Sequence, residues 1–326
     1  GISSRGLFTE EMVAVRNIID AGCIAGPRLQ IAGFTIMTCS HLDLILPKAA
    51  LRPHPMTTGD GPWELRKIAR LNVRQGADVI KTCASGGGGT DNEEPDIRNL
   101  TQEELDAIVD EAHALGKPCA VHCFTPEAHK MAVKAGADTI EHMVFHTTES
   151  LQMIKDAGIW MVPTLSHRTD HAIEIRRQTG TPKFVLDKMK KIQPYAFETF
   201  QRCHQMGINI AMGTDMQLEP GMGTNAYELE IYCSLGMTPM EAILTATRNA
   251  AIAIGKGKDL GTLEVGKIAD VVVVDGNPLD DIRVLQDRER IVTVMKDGEV
   301  YVDRRRGHPR KEIIHASPDS WKKIDE

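Results

Sequence analysis

The sequence predicts an α/β fold organised on parallel strands, and three observations predict it. Short apolar runs alternate with amphipathic helical stretches through the middle of the chain; Gly116, Gly136, Gly158 and Gly207 close successive helices; and two strand texts echo each other, GADVIK at 76–81 and GADTIEH at 136–142. Parallel neighbours cannot be joined by a hairpin, so a sheet of this kind needs a helical crossover after each strand, which is the rhythm seen here.

Taken in order, 9–22 reads as a helix with Thr9 as its N-cap and acidic residues in its first turn. Gly26-Pro27 breaks the chain before a short strand at 28–32, and 34–61 is loop-rich, with His41, His54 and three prolines. A helix over 62–75 opens on Pro62, which suits a first helical position because that N–H has no intrahelical partner. The strand at 78–81 ends on Lys81 and runs into Gly86–Gly89 and a polar loop to Asn99. Thr101 and Glu104 then form a T-x-x-E capping box for a helix over 101–115. Strands at 118–123, 139–142, 159–164 and 208–213 follow, separated by helices at 126–135, 150–157 and 182–206. The total is six strands, whereas a closed parallel barrel has eight, so the sheet is either open or lacks two strands upstream of Gly1.

Two more helices are expected at 222–235 and 238–254, after which the text turns β-rich, with Asp297-Gly298 as a hairpin turn. The expected division is a barrel over 1–254, the remnant of a small β-sandwich over 255–303, too short to hold a core alone, and a charged arm over 304–326.

Composition narrows the function. A net charge of −7 and an aromatic content of 4% argue against a nucleic-acid surface and point to small-molecule partners. No apolar run reaches the roughly 18–20 residues that span a bilayer. Seven cysteines, odd in number and without a C-x-x-C pair, predict reduced thiols and a cytoplasmic location. A homo-oligomer is compatible with all of this.

Four residues of ligand type stand at strand exits: Lys81, His122, His142 and Asp215. In parallel α/β folds those exits form one face, so residues distant in sequence converge there. Two imidazoles and a carboxylate suit a borderline divalent ion such as zinc. A lysine ammonium has no lone pair to offer, but its carbamate, formed with CO2, presents two oxygens that can bridge two ions. Taken singly, each residue has an ordinary alternative: a core or surface histidine, a solvated lysine, an aspartate capping a loop. The coincidence of position favours a metal site. HMVFH at 142–146 is not H-E-x-x-H, and Gly86–Gly89 lacks the P-loop pattern, so it reads as a mobile loop beside the site. Cys83 and Cys123 read as packing residues, with a thiolate role as the alternative, and Glu141 as an outer-sphere or outward residue. His167 and Arg168, just past a strand exit, are candidates to hold a substrate carboxylate, with a solvated loop as the alternative. Specificity is expected from the loops at 34–61, 86–99, 165–181 and 216–226.

IKTCASGG around Lys81, DEAHALGKPCAVHCFTPEA around His122, GADTIEHMV, MGTD at Asp215 and the closing GTLEVGKIADVVVVDGNPLDDI together resemble the amidohydrolase superfamily. The likeness is to its imidazolonepropionase-like and Xaa-Pro dipeptidase-like branch with a carboxylated lysine. That resemblance implies a (β/α)8 TIM-type barrel in which a metal-activated hydroxide attacks an amide-type carbonyl. It implies that Lys81 bridges the metals as N6-carboxylysine, that His122 and His142 hold the second metal, and that Asp215 binds the first and acts as general acid/base. The family's first strand carries an H-x-H pair, and no H-x-H occurs here. The chain is therefore expected to be N-terminally incomplete, with two Zn2+ in the complete protein and one in this chain. The expected substrate is a small amide, dipeptide or carbamate. Alternatives are a catalytically impaired fragment serving as a binding or subunit partner, and a mononuclear-metal deaminase or cyclic amidase, against which Lys81 argues.

Overall fold

A computed structural model gives the fold; it describes residues 2–3, 9–39, 57–89, 93–215 and 223–306. His41, His54, most of the loop at 216–226 and nearly all of the expected charged arm lie outside the described residues.

The centre is a four-stranded parallel sheet, β3 (Ile80–Cys83), β4 (Cys119–Cys123), β5 (Thr139–His142) and β6 (Trp160–Val162), in sequence order. Every residue of β3 and β4 is buried, as expected for strands covered on both faces. Side chains alternate across the sheet, so the registers define two rows. Thr82, Val121, Ile140 and Met161 stand in one row, all fully buried on the helix side of the sheet. Cys83, His122 and Glu141 share the other. The helix layer contributes α3 (Gln102–Ala114), α4 (Pro126–Ala135) and α5 (Thr148–Ala157), whose Ile108, Ala132 and Ile154 belong to the same core. Full burial of a side chain such as Ile140 contributes about 1.5–3 kcal/mol.

Helix ends follow local chemistry. Thr101 and Glu104 form the expected capping box, and Glu104 also accepts from Gly61 N, which ties α3 to α2 (Gly61–Arg74). Thr125 and Thr147 cap α4 and α5, and Gly136 and Gly158 close them in the left-handed conformation. At the N-terminal side, β1 (Ile2–Ser3) pairs in parallel with β2 (Gln30–Ile31), and α1 (Thr9–Asp20) lies between them in sequence, beginning at Thr9 rather than after it.

Four stretches differ from expectation. The strand expected at 208–213 is reduced to a single parallel bridge, Met161 to Ile210, because its remaining backbone groups are satisfied elsewhere. Met212 N donates to Thr245 O, and Asn249 Nδ2 donates to Ile210 O. Both partners lie in a π turn, Thr245–Asn249, that divides the expected helix 238–254 into α9 (Pro239–Leu244) and α10 (Ala250–Ala253). The stretch 165–181 is not loop throughout. It holds a 3₁₀ turn, Ser166–Arg168, and α6 (Asp170–Gln178), started by Thr169, whose hydroxyl accepts from Ala172 N. Finally, the glycine loop is pinned at its start. Gly86 N donates to Ile97 O, and a Cβ on Gly86 would lie 2.1 Å from Glu94 O, so no other residue fits.

After α7 (Lys183–Met206) and α8 (Tyr227–Ser234), the chain forms an antiparallel sheet of β7 (Val271–Val274), β8 (Ile291–Lys296) and β9 (Glu299–Asp303). Asp297 and Gly298, at φ 55° and 78°, make the tight turn between β8 and β9. Arg28, beside β2, reaches Asp270 and Asp297 at this sheet. Among the described residues no helix is long and apolar enough to cross a membrane, and all seven cysteines are free.

Candidate functional site

Strand exits bring the four predicted ligand residues to one rim. Lys81 on β3 is buried, its ammonium end against the Glu141 carboxylate on β5. Glu141 therefore points into the site rather than outward. Burial drives Lys81 below the usual ammonium range, while nearby Asp215 pulls the other way. His122, the penultimate residue of β4, bonds through Nε2 to Gly86 O at 3.0 Å and lies tilted against Phe124, ring centroids 4.4 Å apart. With Nε2 as donor, the ring's lone pair belongs to Nδ1.

His142 arrives by a different route. Its register partner is Cys123, whose Sγ faces Ala128 O on α4, so strict alternation would send the imidazole to the helix side. Instead His142 has φ 75° and Met143 φ 50°, a left-handed step at the strand's end that turns the ring back to the rim. The His142 and His122 rings stand 4.7 Å apart, and His142 Nδ1 bonds Thr164 Oγ1 at 2.7 Å. Thr164 fixes the ring as an outer partner would, leaving the lone pair on Nε2 when Nδ1–H is the donor. Burial, followed by the charges of His122 and Lys81, holds His142 well below the usual imidazole range, so it is neutral at physiological pH.

Thr164 and Asp215 repeat the backbone device, at φ 54° and 49°. Of the five non-glycine residues with positive φ among the described residues, four lie at strand exits on this rim and the fifth is in the Asp297 turn. A left-handed residue costs about 1–2 kcal/mol, so the clustering marks a place where position outweighs local preference.

His167 and Arg168 share the 3₁₀ turn after β6. His167 Nε2 lies 3.9 Å from Asp215 Oδ2, and its ring is 6.5 Å from that of His142. The Arg168 guanidinium is buried 5.0 Å above the Phe124 ring. The turn is therefore part of the site and not a solvated loop. A thiolate role for Cys123 is not supported: burial pushes its thiol well above the ordinary range, and its sulfur faces the helix layer.

Sequence reasoning missed Thr164, Phe124 and Glu228. Phe124 directly follows the β4 exit and could have been found from that position. Glu228, on α8, is fully buried and accepts from Leu165 N and Ser166 N, each at 2.6 Å. Burial lifts its carboxyl to about 7 despite those two donors.

Among the described residues no three His, Cys, Asp or Glu side chains stand close enough to hold an ion unaided. A metal site built on His122, His142 and Asp215 would need a further donor, and Lys81 is the buried side chain beside them. The donor chemistry fits a divalent ion of the zinc type: two imidazoles, that of His142 neutral, a carboxylate, and a lysine that burial biases toward the neutral amine that CO2 addition requires.

Comparison with known proteins identifies the family. The model for the amidohydrolase family matches residues 4–301. Ochratoxinase from Aspergillus niger is 33% identical over 308 residues, covering 88% of this chain and 62% of that protein. An imidazolonepropionase from Symbiobacterium thermophilum is 29% identical over 204 residues, covering 60% of this chain and 42% of the relative. The chain thus spans under two thirds of the length of these relatives. A crystal structure of a Xaa-Pro dipeptidase with methionine bound in its active site superposes with a TM-score of 0.84 at 34% identity, covering 91% of this chain and 74% of that one. With a family match running nearly end to end and a parallel sheet whose exits carry the ligand-type residues, this chain belongs to the amidohydrolase family.

Proposed function

We propose that the protein is a metal-dependent hydrolase of C–N bonds in small amides of the dipeptide or N-acyl amino acid class. The observation that carries this reading is the pair His122 and His142, 4.7 Å apart, the second brought to the rim only by a left-handed backbone. This reading takes the parallel strands as part of a (β/α)8 barrel over 1–254, 255–303 as sandwich, and the rest as a charged arm.

His122, His142 and Asp215, with Lys81 as its carbamate, would hold the divalent ions, zinc by donor type. Such an ion, when bound, polarises a carbonyl and makes a water acidic enough to attack near neutral pH. Lys81 suits its part because burial shifts it toward the unprotonated amine that CO2 addition requires. Asp215 takes the proton released by the attacking water and passes it to the departing nitrogen, with His167 beside it to orient the carboxylate. His167 and Arg168 meet the substrate's carboxylate; Arg168, buried over Phe124, offers a guanidinium with little freedom left to lose on binding. The names of the relatives above, a dipeptidase among them, support an amide with a carboxylate nearby.

The test is elemental analysis for zinc joined to a screen of dipeptides, N-acyl amino acids and carbamates. We expect bound zinc and turnover of at least one class, loss of metal in Lys81→Ala, and a fall in kcat of about 10³-fold or more in Asp215→Asn. A zinc-loaded protein inert toward all three classes, or a Lys81→Ala variant with full metal and rate, would sink the reading.

A further inference from the structure

The Ser166–Arg168 turn carries two site residues, yet it is only three residues long, and a 3₁₀ turn of that length has little stability of its own. Something must hold it. Ser166 Oγ donates to Thr214 O at 3.2 Å, and Gln193 Nε2 donates to Arg168 O at 2.7 Å, so neighbouring elements tie its flanks. Its leading N–H groups, those of Leu165 and Ser166, have a single side-chain partner. Glu228 Oε1 accepts the first and Oε2 the second. A carboxylate with one oxygen on each of two successive N–H groups fixes both the position and the rotation of the peptide between them.

Glu228 comes from α8, after the last strand exit in sequence, and is 0% exposed. It touches none of the four ligand-type residues, and a buried carboxylate is costly unless it has a task. We propose that Glu228 is a positioning residue: through the backbone of the Leu165–Ser166 step it sets where His167 and Arg168 stand relative to Asp215 and Phe124, and so governs how the substrate is held. The inference rests on the hydrolase reading above for its kinetic consequence, but not for the clamp itself.

The two are separated by measuring the full chain in two ways. Amide hydrogen exchange needs neither substrate nor metal. In Glu228→Gln one acceptor remains but an NH2 group is turned toward a backbone N–H. Exchange at Leu165 and Ser166 should accelerate by at least about tenfold in this variant, with β3–β5 unchanged. With a substrate from the screen, KM should rise about tenfold while zinc content and kcat stay within about twofold of wild type. Glu228→Asp, which keeps both oxygens, should fall between wild type and Gln; if Gln does not fold, Asp carries the test. In an Arg168→Met background most of the KM penalty of the Glu228 variant should vanish, because both changes act on one contact. Unchanged exchange at Leu165 and Ser166 would overturn the clamp. Loss of zinc and kcat at constant KM, or penalties that simply add, would overturn the positioning role. A wild-type chain that hydrolyses nothing would remove the hydrolase reading alone, and the exchange experiment would still decide the clamp.

Discussion

Two sheets of this chain, both with β-branched residues in their strands, meet opposite fates. In the parallel sheet, Val121 and Ile140 are 0% exposed; in the C-terminal sheet, VVVV of β7 leaves Val272 56% and Val273 38% exposed. The more apolar text is the less buried one, so the surroundings decide. Helices α3, α4 and α5 cover the parallel strands, so each polar residue there, Lys81, His122 or Glu141, stands in a place where burying it is expensive. The lesson is that an apolar run reports β-structure, whereas a charged residue inside a covered run reports a site.

The sharpest way to break this contrast is a pair of truncations. Ile140→Ala should lower unfolding stability by about 2–5 kcal/mol, through lost burial and the cavity left behind. Val272→Ala should stay within about 0.5 kcal/mol, as surface substitutions do. Both are read by denaturant melts. Equal costs would mean that β7 is covered in solution and that the comparison fails.

A second difference is sensitivity to acid. His129 on α4 is fully buried, its Nε2 donating to Cys123 O at 3.3 Å and its Nδ1 without a partner. Burial lowers its pKa from 6.5 to about 4. Above pH 6.5 the ring is neutral in both folded and unfolded chains. As pH falls from 6.5 to 4 only the unfolded chain takes up the proton, so stability declines, by on the order of 3 kcal/mol across that window, and levels off below it. Melts from pH 7 to 4 should show this slope, and His129→Gln should flatten it. An unchanged slope in that variant would assign the acid sensitivity elsewhere. A smaller loss is expected for Thr101→Ala, which removes half of the capping box and should cost about 1 kcal/mol in the same melts.

How far the sequence carried can be judged residue by residue. GADVIK, His122 and the capping box of Thr101 were legible because burial on both faces, alternation and cap chemistry are local rules. His142 was legible as a candidate but not as a geometry: by alternation it belongs with Cys123 on the helix side, and no periodicity announces a left-handed step. The text at 208–213 has the apolar character of a strand, yet its hydrogen bonds are taken by the π turn, which is a tertiary event. The helix after Thr169 was hidden in a polar, histidine- and arginine-rich stretch with little hydrophobic period. Glu228 was invisible because it acts on backbone N–H groups, which carry no side-chain signature.

The left-handed residues at His142, Thr164 and Asp215 have a consequence for anyone engineering this protein. A campaign that rewards heat resistance alone would be drawn toward glycine at all three positions, since glycine adopts that backbone without strain. Each such change would trade an imidazole, a hydroxyl or a carboxylate for a calmer main chain. Hardier variants found that way should be checked for what they can no longer do.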